Sequence, residues 1–152
     1  MKRLPLLLFV AAGFLFLFSC RKSEKIDTSP GIRLAFSADT VYFDTVFATI
    51  GSVTQQLRVY NENDQKVRIS TIQLAGGESS YYRLNIDGIA GLTVNDVDIP
   101  AHDSIFIFVK VTVDPSNQNN PLVIADSILF TLNGSQQNVK LVAWGQDAIF
   151  HK

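Results

Sequence analysis

The body of this chain is predicted to be all-β, an antiparallel sandwich of about seven to nine strands. Three observations predict it. From Ile32 onward, apolar residues recur with a period of two rather than the period of about 3.6 that marks a helix. Polar or glycine-bearing turns interrupt these runs at short intervals. No segment after residue 20 carries a sustained helical stripe.

The first strands are expected over residues 32–37 and 40–49. In the next, Val53, Leu57 and Val59 alternate with Thr54, Gln56, Arg58 and Tyr60, giving one buried and one wetter face. Asn61-Glu62-Asn63-Asp64-Gln65 turns the chain. In the returning strand Val67 and Ile69 share one phase while Ile72 and Leu74 share the other, so a bulge or a change of sheet is expected near Ser70-Thr71. Gly76-Gly77 ends it. Strands over 81–86 and 95–99 follow. Ile105, Ile107, Val109, Val111 and Val113 then line one face of a long strand, with Phe106, Phe108, Lys110 and Thr112 on the other. The last two strands, within 122–132 and 138–144, are joined by Asn133-Gly134, two residues that tolerate the positive φ of a tight hairpin turn. Many short strands in about 120 residues favour a sandwich over a closed barrel.

The N-terminus is of a different kind. Lys2 and Arg3 precede an apolar run from Leu4 to Phe18, which ends at Ser19 and Cys20, the only cysteine. A basic start, an apolar stretch and a small residue are the parts of a helical export signal. The run falls short of the roughly 20 apolar residues a spanning helix requires, so a retained membrane anchor is the weaker reading. Leu17-Phe18-Ser19-Cys20 resembles the lipobox at which bacterial lipoproteins are cleaved and acylated. That resemblance implies a signal peptide over 1–19, a lipid on Cys20, membrane attachment through that lipid, and a place in the bacterial cell envelope, at the outer membrane. Residues 20–31 read as the lipidated cysteine and a polar tether ending in Pro30-Gly31. The sandwich is expected over 32–148 and a short tail over 149–152.

Loss of residues 1–19 leaves 133 residues, one domain's worth, that fold without disulfides. Lys2 and Arg3 leave with the signal, so the mature balance is 11 basic against 14 acidic residues, net −3. Scattered charge of that size gives no basis for binding nucleic acid, which calls for a concentrated basic face.

Gly51-Ser52-Val53, Leu57-Arg58-Val59-Tyr60-Asn61, Val67-Arg68-Ile69, Ile99-Pro100, Val109 to Pro115 and Val139-Lys140-Leu141 together resemble the immunoglobulin-like domains of the major sperm protein, abnormal-spindle and hydin group. The resemblance covers about residues 40–145 and implies fold more than function. Asp44-Thr45-Val46-Phe47, Leu74-Ala75-Gly76-Gly77, Asp126 to Phe130 and Ala143 to Ala148 are similar to runs in uncharacterised lipoproteins of Bacteroidetes-type bacteria. In many of those a parallel β-helix region follows the sandwich. Here Lys152 follows it, so the resemblance leaves a stand-alone module or the front of a longer reading frame.

Chemistry-bearing motifs are sparse. His102 lies in a turn and His151 near the end. Neither is placed with a nucleophile, and no paired-histidine, phosphate-cradling or dinucleotide motif occurs, so the chain is not expected to be an enzyme or to carry a cofactor or metal. Asp114 to Pro121 is rich in oxygen ligands of the kind calcium accepts, but with one carboxylate it reads more simply as an Asn-rich turn. Asp39-Thr40-Val41, Asp44-Thr45-Val46, Asp103-Ser104-Ile105 and Asp126-Ser127-Ile128 resemble O-glycosylation sites of exported Bacteroidetes proteins, which would place sugar on Thr40, Thr45, Ser104 and Ser127. The competing reading is that Asp followed by a hydroxyl residue opens a strand. Asn133-Gly134-Ser135 matches an N-glycosylation sequon only incidentally. Among the aromatic residues Tyr60, Tyr81, Tyr82 and Trp144, those taken as candidate contacts to a protein or glycan partner are Tyr60, Tyr82 and Trp144. Partial burial is expected of Trp144. A non-catalytic binding or structural module is the first reading, and an accessory glycan-binding or enzyme-associated module the second.

Overall fold

The computed structural model describes residues 25–47, 53–112 and 123–146. Cys20, the loop 114–121, His151 and the tail 149–152 lie outside the described residues, and so does the side chain of Thr45. The strands are β1 (Ala35–Phe36), β2 (Thr40–Phe47), β3 (Thr54–Tyr60), β4 (Val67–Leu74), β5 (Tyr82–Ile86), β6 (Ile89–Gly91), β7 (Thr93–Ile99), β8 (Ser104–Val111), β9 (Val123–Leu132) and β10 (Ser135–Gln146). One sheet has the order β1-β3-β8-β5-β6 and the other β2-β10-β9-β4-β7. The fold is an immunoglobulin-like β-sandwich, as expected, with one qualification: β10 pairs with β2 in parallel, so the second sheet is mixed rather than wholly antiparallel.

The period-two pattern produces this arrangement because both sheets bury one face. Leu57 and Val59 of β3, Ile105, Ile107 and Val109 of β8, and Leu84 and Ile86 of β5 meet Ile128 and Phe130 of β9 and Val139 and Leu141 of β10. Rings lock the layers together. Phe36 of β1 packs on Phe130 of β9 at 4.9 Å, and Phe43 of β2 on Tyr82 of β5 at 5.4 Å. Such tilted ring pairs contribute about 1 kcal/mol beyond their burial.

The phase change near Ser70-Thr71 is present. Val67 and Ile69 are buried, then Ile72 and Leu74. Pairing with β7 runs from Ile69↔Val97 to Thr71↔Asn95 without slip, because β7 inverts its phase at the same level. Asp96, at φ 54°, supplies the left-handed residue that permits it. Asn133 and Gly134, at φ 47° and 79°, form the predicted two-residue hairpin. A second such hairpin, at Asp87-Gly88 between β5 and β6, has the same signature and adds a strand that the apolar pattern does not reveal.

Two polar knots hold the end of the sandwich where the N-terminal segment arrives. Ile26 bridges Lys66, the Asp27 N–H donates to the Lys66 carbonyl at 2.8 Å, and the Asn133 side chain donates to the carbonyls of Asp27 and Ser29, each at 3.0 Å. The stretch taken as tether over 20–31 is thus docked from Ile26 onward, since backbone groups here find partners on two turns. The second knot is Asn61, which is buried. Its side-chain N–H group donates to the carbonyls of Gln65, Ile99 and Pro100 at 2.8, 3.1 and 2.9 Å, and its Oδ1 accepts from Asn63.

On the second sheet Arg68 donates through Nε and Nη2 to Asp98 at 2.6 and 2.9 Å, and Lys66 adds an ion pair at 3.1 Å. The Arg68 hydrogen bond outweighs partial burial and, with Lys66, holds the Asp98 carboxyl down at about 2. A carboxyl depressed on folding stabilises above its unfolded pKa, and that stabilisation disappears as pH falls through the folded value. Asp98→Asn should therefore cost about 1 kcal/mol at neutral pH, after allowance for solvent screening. Urea unfolding at stepped pH should show that difference closing between about pH 4 and pH 2.

Candidate functional site

Among the described residues β2 is the edge strand of its sheet, paired with β10. Its pairing with β10 is in step from Lys140↔Thr40 to Ala143↔Phe43 and resumes one residue out of step at Gly145↔Val46. Two residues of β2, Asp44 and Thr45, therefore stand opposite Trp144. A bulge at a sheet edge re-aims side chains and interrupts the ladder. Alternation places Val142 and Trp144 on the outer face of β10, and the register sets Tyr42 beside Val142 and Val123 beside Trp144. The Tyr42 and Trp144 rings lie nearly parallel, 13° apart with centroids at 6.2 Å. Tyr42 is 61% exposed and Trp144 42%. Ala125 and Val142 also line a shallow depression that continues past Lys140 and Ser127 to Ala75. This is an apolar and aromatic surface beside the edge strand of the described sheet.

Trp144 is thus partly buried, with the Tyr42 ring beside it. Tyr82 is not a surface contact. It is fully buried on β5, packs on Phe43, and its hydroxyl donates across the sandwich to the Ile124 carbonyl at 2.8 Å. Burial, and next the Asp126 carboxylate, push its phenol well above its ordinary value. The reason is phase: Tyr82 alternates with Arg83 and leads an inward row with Leu84 and Ile86. Tyr60 is half-buried at the far end of the other sheet, its ring 5.3 Å from the Arg58 guanidinium. The candidate contacts are therefore scattered, and only Trp144 belongs to the edge surface. Tyr42, its neighbour there, is hidden in the sequence by the unbroken run Val41-Tyr42-Phe43; assigning Val41 and Phe43 to the core face would have turned it outward.

The hydroxyl candidates are placed as follows. Thr40 and Ser127 are partly covered and lie on either side of Lys140. Ser104 accepts a hydrogen bond from Arg58 Nε at 2.9 Å. Asp103 and Asp126 each take the N–H of the following serine at 2.7 Å, so in both motifs the carboxylate has a structural role. Asp103 precedes β8, as a strand-opening residue should. Asp126 instead lies inside β9, where it also accepts from the Gly76 N–H at 3.0 Å and from the Ser80 hydroxyl. A Cβ on Gly76 would meet Asp126 Oδ2 at 2.8 Å, which is why glycine stands there. His102 Nε2 lies 3.0 Å from Asp64 at the surface. Among the described residues no three His, Cys, Asp or Glu side chains are grouped to hold a metal.

No family model matches this chain, and no curated protein matches it. Solved structures do. A protein of unknown function from Porphyromonas gingivalis W83 is similar over 84% of this chain and 50% of its own, with a TM-score of 0.55 and 11% identity. A family 123 glycoside hydrolase from Clostridium perfringens, described for glycolipid glycan hydrolysis, is similar over 77% of this chain and 28% of its own, with a TM-score of 0.50 and 9% identity. The chain thus spans half or less of the length of either. At such identity the likeness is one of fold.

Proposed function

We propose that this chain is a lipid-anchored protein of the bacterial cell envelope, held at the outer membrane by an acylated Cys20, whose sandwich is a non-catalytic binding module. Its partner is an extended polypeptide that adds a strand to the edge of β2, with Tyr42 and Trp144 covering the side chains that follow. The observation that carries this reading is the edge strand, regular from Thr40 to Phe43, beside two exposed, nearly parallel rings. An edge strand offers backbone donors and acceptors on the side away from its neighbour, and adjacent apolar surface selects among sequences. Aromatic residues are also the commonest energetic anchors of interfaces.

A photo-crosslinking residue at Thr40, introduced in living cells, tests it. The reading expects a discrete protein adduct from Thr40, weakened at least about tenfold by Trp144→Ala. Equal adducts from Gln73, on β4 between β7 and β9, would count against edge recognition.

The exposed rings also favour a second reading, in which this surface binds glycan as the accessory module of a carbohydrate-processing system. A sandwich of similar fold forms part of a glycoside hydrolase chain, which is consistent with such a role. Glycan arrays probed with the protein and its Trp144→Ala variant separate the two: no hits, or hits indifferent to Trp144, remove the glycan reading.

A further inference from the structure

The outer face of the first sheet differs from the rest of the molecule. Its outward positions on β3, β8 and β5 carry Arg58, Arg83 and Lys110 and no carboxylate, although the mature chain is net negative. Glu62, Asp87 and Asp103 stand in the turns beyond these strands, and Asp103 is engaged by the Ser104 N–H. Lys110 is paired directly with Arg83 across β8 and β5, and like charges directly opposite one another destabilise a sheet. Arg83 Nη1 donates to the carbonyls of Ser80 and Tyr82, which uses two of its five hydrogens without neutralising its charge. Between the cations Phe106 and Phe108 are 37% and 43% exposed. Phe106 also holds the Arg58 guanidinium at 4.8 Å.

On the reading that Cys20 is acylated, the geometry points to this face as a docking surface for the anionic phospholipid headgroups of the membrane that holds the lipid. Only residues 21–25 separate Cys20 from Ile26, where the chain docks on the body, so that docking point stays within about 20 Å of the bilayer. Ile26 bridges Lys66, beside the turn at which Asn61 follows Tyr60, so the tether arrives at the end of the sandwich where Arg58, Tyr60 and Phe106 stand. Cations near an anionic surface and aromatic rings at the headgroup level both favour adsorption, and adsorption relieves the Lys110–Arg83 repulsion.

The test uses the acylated protein in vesicles of phosphatidylcholine, alone or mixed with phosphatidylglycerol. Gln56→Cys, opposite Phe108 on this face, carries an environment-sensitive thiol dye, because acylation leaves Cys20 no free thiol. Trp144, the single tryptophan, reports the other face. The expected result is a blue shift of the dye on phosphatidylglycerol vesicles only, reversed by high salt, with Trp144 emission unchanged. Arg58→Gln, Arg83→Gln and Lys110→Gln together should weaken apposition roughly a hundredfold. Flotation with phosphatidylcholine alone reads the anchor separately. Protein that floats with both vesicle types while the dye does not shift overturns the docking face and leaves the anchor intact. Protein that fails to float with phosphatidylcholine overturns the anchor, and its dye on phosphatidylglycerol vesicles still decides the face.

Discussion

Asn61→Ala should lower the stability of the sandwich by about 3 kcal/mol, because it leaves carbonyls of two separate turns without their donor. Those carbonyls belong to Gln65 in the β3–β4 turn, to Ile99 at the end of β7 and to Pro100 in the turn after it, and they close around a side chain with almost no access to water. For a domain of this size the melting temperature should fall by roughly 10 °C. Asn61→Asp is a sharper variant. It keeps the shape and the acceptor toward Asn63 but turns a donor into a second acceptor facing three carbonyls, and should be at least as damaging. Thermal unfolding followed by circular dichroism measures both. A loss below 1 kcal/mol in each would mean that water replaces the amide and that this end is more open than described.

Tyr82→Ala should cost about 4 kcal/mol, the usual range for removing a buried aromatic ring. Tyr82→Phe should cost about 1–2 kcal/mol, since it removes only the hydrogen bond to the Ile124 carbonyl that ties β5 to β9. The phenol adds a pH signature. Its pKa is raised on folding above an ordinary value of 10.0, by burial first and then by Asp126. A group raised in this way stabilises fully below its unfolded pKa, and the stabilisation is lost as pH climbs toward the folded value. Melting temperatures should therefore decline above about pH 10, less steeply in Tyr82→Phe than in the parent. Equal slopes would show that Tyr82 titrates freely and does not bridge the sheets.

Most of the fold is legible in the chain because burial on one face leaves a period-two record. Ile105 to Val111 shows it most clearly, and the inverted phase at Ser70-Thr71 even registers the irregularity of β4. Two things escape that record. The parallel pairing of β2 with β10 is a long-range choice with no local signature. The β5–β6 hairpin is signalled only by Asp87-Gly88, since Ile89-Ala90-Gly91 is too short to alternate. The functional surface is harder to read for a related reason. Side-chain identity does not reveal exposure when both phases of a strand are apolar, which hides Tyr42 in Val41-Tyr42-Phe43, whereas Tyr82 shares its phase with Leu84 and Ile86 and is core by alternation although its hydroxyl suggests a surface. Arg58 and Phe106 are separable by phase, but their contact joins residues 48 positions apart and needs the β3–β8 register.

The place where these surfaces act depends on whether Cys20 holds the chain to a membrane. The most direct measurement is the intact mass of the protein extracted from membranes of its host, beside a Cys20→Ala variant. The expected mass is that of residues 20–152 plus an acyl glyceride, absent in the variant, with hexose increments if Thr40, Thr45, Ser104 or Ser127 carries sugar. An uncleaved chain of all 152 residues, with the same mass chemistry in parent and variant, would contradict it.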